Sequence, residues 1–184
     1  MRFYTPKECE EWCQALQVPL DGQNQPADAP SSQHRLRCAF PASFSQLLWF
    51  SRCIEAALQP RQNCLVWVTG YGIFPSCENQ HLYYRFRQSY GELKLLQDAP
   101  GHLCLDYERP EVVTLLHLGM LFGWDLHLIP TAGYGGAFVS HDEWAEIGFA
   151  DERLFDETRQ ALEKAELQVS IYDSAGQVTG TNAV

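Results

Sequence analysis

Residues 102–129, HLCLDYERPEVVTLLHLGMLFGWDLHLI, read as strand, helix, strand. His102–Leu105 is a short apolar run set off by Pro100-Gly101 before it and charged residues after it. Pro110 suits the first turn of a helix, and Glu108 and Glu111 favour its positive end. Val112, Val113, Leu115, Leu116, Leu118, Met120, Leu121 and Phe122 surround most of that helix, so it should be deeply buried. Gly123 is a natural stop. Trp124–Ile129 then reads as the next strand.

The same rhythm extends outward on both sides. Toward the N-terminus, His34–Phe40 alternates Leu36 and Cys38 against Arg35 and Arg37, the pattern of a half-buried strand. Ser43 and Gln46 form a capping box opening a helix to Gln59. Cys64–Val68 is a continuous apolar run, as expected of a strand covered on both faces. Residues 76–90 fit either period, and their place between two strands favours a helix. Toward the C-terminus, Ala137–Val139 reads as a short strand antiparallel to the one before it. A short helix is expected from Ser140, a charged helix over 151–166, and an edge strand over 168–172.

Alternation of strands and helices implies strands running in parallel, with helices packed over them. The expected fold is therefore α/β: a mostly parallel or mixed sheet of about five strands with helices on both faces. One domain spans 34–172. A helix over 1–18, opened by the capping box Thr5-Pro6-Lys7-Glu8, is appended to it. It is joined through the Pro-rich loop 19–33, PLDGQNQPADAPSSQ, and 173–184 is a tail.

Composition narrows the function classes. The 184 residues are 46% hydrophobic, which argues against a disordered chain. No apolar run approaches the roughly 18–20 residues that span a bilayer. The formal net charge is −10, from 13 Lys+Arg against 23 Asp+Glu. That disfavours nucleic-acid backbones and anionic membrane surfaces. The charge is uneven. Residues 141–166 hold nine acids against three bases, a net of −6. Residues 61–94 are net +2, from four bases and two acids. The seven scattered cysteines and the lack of an apolar leader fit free thiols in a reducing cytoplasm. No C-x-x-C pair occurs, and neither a metal nor a cofactor is expected.

If the sheet is parallel, a ligand should sit beyond the carboxyl ends of its strands. Those ends feed two glycine-bearing loops, Gly70–His81 and Pro130–Gly136, with Tyr71, Ser76 and Tyr134 on them. Gly70-Tyr71-Gly72 lacks the third glycine of a dinucleotide fingerprint, because Pro75 stands there. Cys77 in a first helical turn, with His81 one turn on and Glu78 beside it, is the nucleophile candidate. Ser140-His141-Asp142-Glu143 gathers catalytic residue types. A capping box from Ser140 to Glu143, stapled by Val139 and Trp144, accounts for that string more simply.

Two functions follow from these residues. One is a non-enzymatic protein-binding module, adaptor- or neutraliser-like. It would hold a basic partner through His141, Trp144, Asp151 and Glu152 on an acidic C-terminal surface. The other is a small enzyme or ligand binder, with its site on the two glycine loops and Cys77 and His81 as nucleophile and base.

Overall fold

A computed structural model describes residues 1–27, 32–58, 63–71, 80–131, 135–173 and 177–181. In chain order the elements are β1 (Arg2–Tyr4), α1 (Pro6–Ala15), β2 (His34–Ala39), α2 (Phe44–Leu58) and β3 (Cys64–Gly70). Next come α3 (Gln80–Ser89), β4 (Gly101–Cys104), α4 (Arg109–Phe122), β5 (Asp125–Pro130) and β6 (Ala137–Ser140). The chain continues through β7 (Trp144–Phe149), α5 (Glu152–Lys164), β8 (Val169–Tyr172) and β9 (Val178–Thr181).

Local signals account for most of these boundaries. Thr5 and Glu8 form their reciprocal box at the start of α1, with Pro6 in the first turn. The Ser43 hydroxyl accepts from the Gln46 amide and donates to its side chain, opening α2. Gly123 ends α4 in the left-handed conformation, at φ 61°.

The sheet overturns the parallel expectation. The named strands form one nine-stranded sheet in the order β1-β4-β3-β5-β6-β7-β2-β8-β9, and every pairing is antiparallel. The reason lies in the crossovers. β4 and β5 are joined by α4 and run in the same direction, as a strand–helix–strand unit should. They do not pair, because β3 lies between them, antiparallel to both. β7 and β8, joined by α5, are separated in the same way by β2. The α4 and α5 crossovers thus join strands of like direction with an antiparallel strand inserted between them, whereas β3 and β4, joined through α3, pair directly and antiparallel.

Side-chain alternation divides the sheet into two faces. Cys64, Val66 and Val68 of β3 point into the main core, with Leu126 and Leu128 of β5 and Ile147 of β7. The helices α2, α4 and α5 cover that face, and α3 adds Tyr83 to it. Leu65 and Trp67 point the other way, into a smaller cluster with Cys9, Cys13, Leu103 and Ile129. α1 is therefore a packed layer and not an appendage, a second correction to the expected architecture. Gly101 permits the contact, since a Cβ there would lie 2.3 Å from the Cys9 sulfur.

The expected helix at Ser140 is also absent. Residues 141–143 form the turn between β6 and β7, and Ser140 pairs with Trp144 across it. Val139 and Trp144 do not form a staple: Val139 faces the main core, and Trp144 packs on Phe138 on the opposite face. The tail also contributes β9, which makes β8 an inner strand. The strand expected at the edge therefore has partners on both sides.

Candidate functional site

On the sheet face opposite α2, α4 and α5, α1 packs over β3 and β4, and the rest of that face carries the chemistry. Four strands supply one transverse row. In register, His127 of β5 lies beside Phe138 of β6, Phe138 beside Glu146 of β7, and Glu146 beside Arg37 of β2.

Glu146 is 1% exposed and carries two cations. Arg35 Nη1 donates to one carboxylate oxygen at 3.0 Å, and Arg37 Nε and Nη2 donate to the other at 3.1 and 2.9 Å. The Arg37 guanidinium also lies 3.8 Å from the Trp144 ring centre and 5.3 Å from that of Tyr172. Cation–π contact and charge pairing together hold this half of the face rigid.

The other half opens into a cavity of about 510 Å³. Its roof is the segment that leaves α1. There Leu20 bridges Pro26, and the Asp21 carboxylate accepts from the amides of Gln23 and Gln25. These bonds make residues 20–26 a small hairpin. Leu16, Val18, Pro19 and Pro26 present apolar surface from that roof. The floor is the end of the sheet, with His127, Phe138, Pro130 and the Gly135-Gly136 backbone. Gly135 adopts φ +111°, and a Cβ there would meet the Gly148 carbonyl at 1.7 Å. That wall therefore requires glycine.

His127 is 4% exposed, and its ring centre lies 4.7 Å from that of Phe138. Burial pushes its pKa down to about 4, against the partial support of Asp125 and Asp21. The imidazole is neutral at physiological pH. It is the one titratable side chain on the cavity wall among the described residues.

The sequence candidates are dispersed. Ser76, Cys77, Glu78 and Tyr134 lie outside the described residues. His81 is exposed at the start of α3, and Tyr71 is exposed just beyond β3. Gly70 pairs with Asp125 and Cys64 with Pro130, so the two glycine loops leave opposite ends of the sheet. The residues within these loops, 72–79 and 132–134, lie outside the described residues.

His141 lies in the β6–β7 turn. Its backbone N–H and ring Nδ1 both contact the Asp125 carboxylate at 2.9 Å. That hydrogen bond raises its pKa. The other ring nitrogen faces Asp142 at 3.4 Å, and the Ser140 hydroxyl accepts from the Asp142 amide. A histidine–carboxylate pair is present, but its free nitrogen meets a second carboxylate instead of a nucleophile. Asp151 caps α5, and Glu152 is exposed in its first turn. Trp144 is on the sheet face opposite α5, so it cannot anchor a partner held by the acids of that helix.

Sequence reasoning missed His127, the cavity and the Glu146 cluster. One signal was available: Ala145, Ile147 and Phe149 alternate with Glu146 and Gly148, a strand pattern that the capping-box reading displaced. Among the described residues no group of three or more His, Cys, Asp or Glu could hold a metal ion, and no helix is long and apolar enough to cross a membrane. Compared with protein-family models, curated proteins and solved structures, the chain matches none.

Proposed function

We propose that this chain is a non-catalytic binding domain that takes a small, mostly apolar molecule between the α1–β2 hairpin and the sheet. The observation that carries this reading is the cavity of about 510 Å³, within the roughly 300–1,000 Å³ range of ligand sites. Its apolar lining and its lone neutral imidazole suit binding better than proton transfer, which needs a paired acid or nucleophile.

Ligand-observed NMR with a panel of neutral aromatic fragments tests it. At least one fragment should bind the native protein. Val18→Trp fills the cavity from the half-buried roof, without disturbing the main core, and should abolish that binding. Absence of binding across the panel, or binding indifferent to Val18→Trp, would remove the reading.

A second reading, capture of a basic protein, is favoured by a different surface. Glu152, Glu163 and Glu166 at α5 are exposed and form no ion pair among the described residues. Arg153 and Arg159, by contrast, already pair with Glu157 and Asp156. A partner recovered with the full chain at low salt should be lost when the three free carboxylates are changed to glutamine. Unchanged recovery excludes this surface.

A further inference from the structure

Building on the cavity reading above, we infer that the occupant is a neutral aromatic molecule bearing a hydroxyl group, with that hydroxyl hydrogen-bonded to the His127 imidazole. Three observations converge on this chemistry.

The first is the state of His127. A neutral imidazole carries one donor and one acceptor. No described residue hydrogen-bonds to either ring nitrogen of His127, although the residue is 4% exposed and lines the cavity. His102 shows the ordinary solution in the same sheet. Its Nδ1 donates to the Val66 carbonyl at 3.2 Å, and its Nε2 accepts from the Tyr83 hydroxyl at 2.7 Å. His127 is not closed off in this way, and its ring nitrogens remain available to an occupant that supplies a polar partner.

The second is the surrounding charge. Asp125 and Asp21 are the two charged groups whose fields reach His127. Two amides hold the Asp21 carboxylate below its ordinary pKa, so it stays ionised. An anionic head group beside His127 would meet that negative field. A cationic head group would be buried without a carboxylate among the described residues of the wall. A neutral hydroxyl avoids both penalties, and it can donate to the imidazole or accept from it.

The third is shape. The His127 and Phe138 rings, centres 4.7 Å apart and tilted by 36°, stack on each other at the cavity wall. Val18, Pro19 and Pro26 line the same cavity. An aromatic occupant gains burial against these apolar surfaces and an edge contact with the ring pair.

Three probes of one ring system separate the contributions: 1-naphthol, naphthalene and 1-naphthoate, each titrated into the full chain at pH 7. The expected result is 1-naphthol tightest, naphthalene about tenfold weaker for loss of one hydrogen bond, and 1-naphthoate weaker than 1-naphthol. His127→Phe, which keeps an aromatic ring at that position, should erase the difference between 1-naphthol and naphthalene. Equal affinity for these two in the native protein overturns the inference and leaves the cavity reading standing. Tighter binding of 1-naphthoate overturns it in favour of an anion reader. Failure of all three probes to bind removes both the inference and the cavity reading. The native-protein comparison needs no substitution, so a poorly folding variant does not blunt the test.

Discussion

His102 and His127 are both buried on the sheet, and each is held neutral. Burial, helped by Arg87, pushes the His102 pKa down to about 3, and burial pushes that of His127 to about 4. The unfolded chain takes up protons at an ordinary imidazole near 6.5, so below that pH it binds more protons than the folded state. Stability tied to these groups is therefore complete above about 6.5 and is lost as the pH falls toward about 4 and about 3. His141 has the opposite sign. Its raised pKa contributes stability at low pH that disappears as the pH rises through its folded value. Between pH 7 and pH 5 each buried imidazole should cost about 2 kcal/mol. Urea unfolding at both pH values checks this. The native protein should lose stability, and His127→Phe should lose about 2 kcal/mol less over the same interval. An identical pH slope in the variant would show that His127 does not carry a neutral buried imidazole. None of this was legible from the histidines themselves. His102 and His127 each sit on an apparent strand, and nothing adjacent in sequence distinguishes the one with two protein partners from the one facing a cavity.

The segment from Ser140 to Trp144 shows how an element can be misread from a correct local pattern. Ser140 and Glu143 have the spacing of a capping box, as do Thr5 with Glu8 and Ser43 with Gln46. The latter two open helices. The first lies in a hairpin, because Ser140 and Trp144 pair within a ladder whose inner residues Val139, Ala145 and Ile147 are all buried. Burial of that alternating set outweighs a cap, which contributes about 1 kcal/mol. Glu143 accordingly adopts φ 64°, a left-handed conformation unfavourable for a residue with a Cβ. Glu143→Gly should raise stability by about 0.5–1 kcal/mol by relieving that strain. In a helix the same change would lower it, through poorer propensity and loss of the box. A thermal unfolding midpoint that falls would contradict the hairpin. The helices α2, α4 and α5 and the strands β3 to β6 were legible because period, cap and stop agreed within each. β1 and β9 were not, since Arg2–Tyr4 and Val178–Thr181 form strands only through the neighbours they pair with.

Across the whole molecule, alternation of strands and helices implied a mostly parallel sheet, and the sheet is antiparallel throughout its named strands. α3 joins β3 to an antiparallel neighbour, while the α4 and α5 crossovers join strands of like direction. Whether an antiparallel strand inserts between the two depends on segments far away in sequence, as β3 does between β4 and β5. That one difference relocates the site. It places Gly70 and Pro130, where the two glycine loops begin, at opposite ends of the sheet. It also leaves Trp144 facing away from α5, so the acidic C-terminal stretch and the aromatic residue beside it in sequence act on different faces. The charge gradient, the caps and stops, and the alternating strands follow from residues close together in the chain, where spacing alone decides which side chains can meet. The antiparallel order, the packed α1 layer, the Arg35–Glu146–Arg37 cluster and the cavity over His127 came only with the tertiary structure. They bring together segments distant in the chain, 109 to 111 residues apart in the arginine–glutamate cluster, and the energy that selects among such pairings is the burial of whole faces, which no local pattern records.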